Sequence, residues 1–138
     1  MSVWWNGHHR YFEYIEGYDD TLKVLNLLML LAITLQPFFT KLHDIWIAAP
    51  LASALYALDQ AIAGTFLALT WWYASKDRKF IDRDLNEKTV RRMRVGSLIA
   101  PILFLVSIPV AFAYPSQVSL AWFAYVPIAY IVRRTYKV

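Results

Sequence analysis

Four long apolar runs between residues 21 and 132 restrict what this chain can fold into more than any other feature. A bilayer's hydrocarbon core is about 30 Å thick, and a helix rising about 1.5 Å per residue needs roughly 17 to 25 apolar residues to cross it. The stretches 21–39, 45–73, 95–112 and 116–132 meet or approach that length. A water-soluble four-helix bundle carries a polar stripe on each helix, whereas "VLNLLMLLAITL" and "IAPILFLVSIPVAFA" are apolar nearly all round. Composition agrees, since 59% of the 138 residues are hydrophobic and only 17% charged, against about a quarter charged in soluble domains. The expected fold is all-α, an integral membrane helical bundle of four transmembrane helices forming one domain over 1–138.

The runs are interrupted by one long polar stretch, a connector over 75–94 that carries charges of both signs and ends in a basic cluster. Four crossings put the N-terminus, this connector and the closing "RRTYKV" on one side, and "TKLHD" and "YPSQ" on the other. Of the 14 lysines and arginines, Lys41 alone then falls on the second side. Basic loops stay in the cytoplasm, so both termini are expected there. The even number of crossings and the charge asymmetry support each other. Glu13, Glu16, Asp19 and Asp20 occupy the region where a signal peptide would be basic and then apolar, so no cleavable signal is expected. Trp4, Trp5, Trp46, Trp71, Trp72 and Trp122 fall mostly at span ends, where amphipathic rings anchor in the headgroup layer. Pro109 and Pro127 predict helix kinks, because each removes a backbone donor.

Polar residues within the runs are the candidates for function. Asn26 shares a face with Lys23, Leu30, Ile33 and Pro37, and an amide in hydrocarbon seeks a partner helix for about 1 kcal/mol. Its ordinary role is interhelical glue. Asp59 sits near the middle of the second run, where a carboxylate costs at least about 3 kcal/mol. Two readings stay open for it: a functional carboxyl, or one placed in a hydrated vestibule or subunit interface. Ala49, Ser53, Ala57, Ala61 and Thr65 recur every four residues, a ridge that admits another backbone closely, within the chain or between copies.

Several chemistries are disfavoured. His8 and His9 are adjacent, so their side chains diverge, and His43 is expected across the membrane from them, which leaves no metal site. There is no cysteine to supply thiolates or disulfides, and no nucleophile paired with a base or glycine-rich phosphate loop. The chain is not expected to be an enzyme or to hold a cofactor. The basic connector faces anionic lipid headgroups rather than nucleic acid.

The N-terminal stretch resembles the potassium channels related to transmembrane protein 175. Trp5, His8 and His9 match the end of that family's second helix, Asn26-Leu27 the opening of its third, and Pro37-Phe38 its close. The final "IAPILFLVSIPVAFAYPSQVSLAWFAYVPIAYIVRR" is similar to the family's last hairpin. The resemblance implies passive potassium conduction in a homotetramer in a bacterial plasma membrane. It also implies that Trp5, His8, His9 and Asn26 are helix-packing residues supporting the pore-lining first helix. The family's arginine-x-x-x-phenylalanine-serine-aspartate motif is not in the sequence. By that comparison the chain corresponds to a truncated or divergent form, spans three to six preceded by the remnant of a second. A role for Asp59 is not implied by the family pattern. A noncatalytic membrane scaffold is the alternative reading, and a small proton-coupled transporter using Asp59 a further one.

Overall fold

The computed structural model describes residues 2–135, and every regular element among them is helical. In chain order these are α1 (Ser2–Phe12), α2 (Asp20–Ile45), α3 (Pro50–Ser75), a 3-10 turn (Lys76–Arg78), α4 (Glu87–Ala113), α5 (Val118–Phe123) and α6 (Tyr125–Thr135). Helices α2, α3 and α4 are each long and apolar enough to cross a membrane.

Local chemistry sets the ends. Asp19 starts α2 as its N-cap, accepting from the Leu22 amide at 3.0 Å. Pro50 begins α3, where its missing N–H is not needed. After Ser75 the backbone turns through positive φ at Asp77 and Arg78, both at 52°. Arg78 holds this reversal by donating to the Arg83 and Leu85 carbonyls at 2.8 and 2.9 Å and to Glu87 at 2.7 Å. Asn86 then caps α4 through the Lys88 amide.

These bounds differ from the sequence expectation at the polar ends. "TKLHD" is helical, the last turns of α2, so only 46–49 separate α2 from α3. Helix α4 begins at Glu87, so the basic end of the connector is helix and the link shrinks to about its first half. Charged residues in a helix's first turns extend it past the bilayer, beyond the reach of a hydropathy criterion. The fourth apolar run is two short helices broken at Ala124. Pro127 has no N–H to offer the Phe123 carbonyl four residues earlier, and the chain loosens there. Pro109, by contrast, lies inside an unbroken α4.

Packing follows a seven-residue repeat. Leu22, Met29, Gln36 and His43 are buried on α2, and Ser53, Gln60, Leu67 and Ala74 on α3. A seven-residue repeat keeps one seam facing its neighbour, and the short turn makes the two seams run antiparallel. Helix α3 packs against α2 on one side and α4 on the other, and is the most enclosed of the long helices. Of the small-residue ridge, Ser53, Ala57 and Ala61 are buried inside this chain and Thr65 is exposed. The closest approach is at Gly64, where an added Cβ would lie 2.9 Å from the Trp4 ring and 3.0 Å from Pro101.

The two ends of the bundle are defined by contacts. Ile15 pairs with Ile81 and the Glu16 amide donates to the Phe80 carbonyl at 2.8 Å, so the α1–α2 loop meets the α3–α4 link. At the other end, His43 near the close of α2 lies 3.2 Å from Ser119 of α5. The basic connector and the 46–49 turn therefore sit at opposite ends.

Candidate functional site

The polar side chains inside the bundle include two hydrogen-bonded groups and one isolated carboxyl. The first is at the basic end. On α1, Trp5 and Phe12 flank His8, with ring centroids 6.2 and 4.3 Å from it, and the His8 Nε2 is 2.7 Å from the Asn26 Oδ1 of α2. One acceptor oxygen facing a ring nitrogen requires the proton on Nε2, which makes the imidazole the donor. Trp5, His8 and Asn26 are thus brought together. His9, one residue on and so about 100° further round α1, is exposed.

The second group runs along the α2–α3 seam away from the basic end. Trp4 of α1 donates its indole N–H to Gln60 Oε1 at 2.6 Å, and Gln36 Nε2 donates to the same oxygen at 3.3 Å. Further along, the two nitrogens of His43 lie 3.1 Å from Ser53 Oγ and 3.2 Å from Ser119 Oγ, and Tyr56 stacks on the imidazole with centroids 5.5 Å apart. Gln36, Gln60, His43 and Ser53 are all buried. A cavity of about 470 Å³ opens beside this seam, bordered by Trp4, Gln36, Thr40, Tyr56 and Gln60 on its polar side and by Phe104 and Trp122 on its apolar side. Such a lining offers amide and hydroxyl groups to a polar occupant at a depth where lipid offers none.

Sequence reasoning missed this seam. Its signal was present: Gln36 and His43 are seven residues apart, as are Ser53 and Gln60, and the two pairs lie symmetrically about Ala48 in the turn. Trp4 and Trp71 had been expected at the headgroup layer, and both are buried instead, Trp71 fully. Trp4 spends its N–H on Gln60, and Trp71 stacks on Tyr11 with centroids 5.3 Å apart. Trp5, Trp46 and Trp72 remain exposed, as lipid-facing rings would be.

Asp59 stands apart from both groups. It is only 4% exposed, yet its Oδ2 finds no hydrogen-bond partner among the described residues. Around it is an apolar groove of about 210 Å³ between α2 and α3, lined by residues such as Leu31, Leu35, Leu55 and Ile62. Desolvation in such a groove is costly for a carboxylate and uncompensated here. Among the described residues no three histidines or acids gather to hold a metal ion.

Comparison with known proteins fits this arrangement. Over 125 residues the chain is 30% identical to a potassium channel of Streptomyces collinus, an alignment covering 82% of this chain and 60% of that protein. It is also 32% identical over 74 residues to the mouse endosomal/lysosomal proton channel TMEM175, covering 54% of this chain and 15% of that protein. The chain is related to the TMEM175-like channel family. With three helices long and apolar enough to cross a membrane, it is an integral membrane protein. It spans less than two thirds of the length of the first relative and a small part of the second. No family model and no solved structure matches it.

Proposed function

We propose that the chain serves passive potassium conduction as the packing framework of a channel assembly, with its basic end in the cytoplasm. The observation that carries this is the similarity over 82% of the chain to a protein named as a potassium channel. Two features support the framework role. Conduction needs a lined path with weak, repeated ion sites, whereas the buried polar groups of the α2–α3 seam are paired with one another. The pore-lining motif implied by the family resemblance is also absent from these 138 residues. The role proposed for Trp5, His8 and Asn26 is to fix α1 against α2 at the basic end, and for His9 to face outward beside them. The family resemblance supports assembly as a homotetramer.

Two experiments test the proposal. Purified 138-residue chain reconstituted in liposomes is expected to give no potassium flux above that of empty liposomes, and flux from it would overturn the framework role. Asp59, buried without a partner in the α2–α3 groove, is proposed to act at the assembly level. Asp59→Asn is then expected to change the oligomer distribution in detergent, or the flux of a conducting assembly, more than Asp44→Asn does. Equal and negligible effects would remove Asp59 from the account.

A further inference from the structure

A second cavity, of about 270 Å³, lies between α1, α4 and α6 at the basic end. Arg10 on α1 and Arg92 on α4 both border it, and no aspartate or glutamate does. Neither arginine has an ion pair or hydrogen bond among the described residues. Other arginines of the same region are committed: Arg78 to Glu87 and two carbonyls, Arg94 to Ser75 at 3.0 Å through Nε. Two cations sharing a cavity without a counterion repel each other and favour an anion between them.

The rest of the lining says what kind of anion. From Arg92 the cavity follows α4 inward past Gly96 to Ala100, a run of about 12 Å at 1.5 Å per residue. Trp4, Leu67, Ala129 and the Tyr125 ring close the deep end with mostly apolar surface, and Ser97 borders the path. Gly96 keeps the path open, since a Cβ built there meets no atom within 4 Å. The slot is therefore cationic at its mouth and greasy at its depth, matching an amphiphile whose charge is at one end. Inorganic phosphate would leave the apolar depth unfilled, and a neutral lipid would leave both arginines without a partner.

We propose that this slot is a binding site for an acidic phospholipid, its phosphate between Arg10 and Arg92 and the start of one acyl chain running along Gly96 toward Trp4. The site is distinct from the exposed basic surface of the connector. It rests on the membrane reading above and not on potassium conduction.

The test uses the whole chain in nanodiscs of equal phosphatidylglycerol and phosphatidylcholine, analysed by native mass spectrometry. One retained phosphatidylglycerol per chain is expected. Arg10→Gln with Arg92→Gln should weaken the affinity behind that occupancy roughly 30-fold, at about 1 kcal/mol for each cation near the lipid surface. Gly96→Leu leaves the charges in place and fills the path, and is also expected to empty the site, while Arg91→Gln on the exposed side of α4 leaves it full. Circular dichroism of each variant shows that the helices persist. Equal retention of phosphatidylcholine, displacement by millimolar inorganic phosphate, or an effect of Arg91→Gln as large as that of the paired variant would overturn the proposal. A chain that fails to enter nanodiscs would defeat the membrane reading as well, whereas an inserted chain without lipid preference defeats the slot alone.

Discussion

Asp19 shows how much one side chain joins at the basic end. Its Oδ1 caps α2, while its Oδ2 accepts from the Tyr73 hydroxyl at 2.6 Å and from Lys79 Nζ at 3.0 Å, tying α2 to the end of α3 and to the connector. The Tyr73 hydroxyl, with the Leu22 amide next and Lys79 behind it, holds the carboxyl down from 3.8 to about 2. A carboxylate held below its unfolded value stabilises the fold above about pH 4, and that contribution fades as pH falls toward 2. Asp19→Asn keeps a capping oxygen and removes the charge. It should lower the thermal midpoint in detergent at pH 7, with the difference from the parent narrowing between pH 4 and 2. A difference independent of pH would show that the charge contributes nothing. At this scale the sequence was uneven in what it disclosed. Asn26 stands out as the one asparagine and Asp59 as the one acid within the apolar runs, while Gln36 and His43 lie toward a helix end that carries other polar residues. Their partners far away in sequence, Gln60 for Gln36 and Ser119 for His43, show that they are interior.

At the scale of helices, the existence and type of the long elements followed from run length, because hydrocarbon leaves the backbone no other partner than itself. Their ends did not, since α2 and α4 continue through charged turns that hydropathy discards, and the break at Ala124 depends on a proline three residues later. The contact between α3 and α4 is sharper than a periodicity could convey. Gly64 lies where the Trp4 ring and Pro101 both come within about 3 Å of an added methyl. Gly64→Ala must push α1 or α4 away and should destabilise the bundle by about 1–3 kcal/mol. Gly96→Ala meets open space, and in a helix interior it should stabilise by about 1 kcal/mol. Thermal unfolding of the two variants in the same detergent checks the pair, and equal shifts would mean that α3 and α4 are not in close contact.

For the whole molecule, the account depends on the α2–α3 hairpin and α4 crossing a bilayer with the basic end on one side. The contacts of Ile15 with Ile81 and of His43 with Ser119 fix which loops share an end, and the lysine and arginine distribution proposes which end is cytoplasmic. The absence of cysteine makes this directly measurable, because a single introduced thiol is the only one present. Ile47→Cys in the short turn and Asp84→Cys in the connector, each expressed in intact bacterial cells, report the two ends to a membrane-impermeant maleimide. Ile47→Cys should label in intact cells and Asp84→Cys only after the membrane is opened. Labelling of both from outside, or protection of both until the cells are broken, would contradict the account.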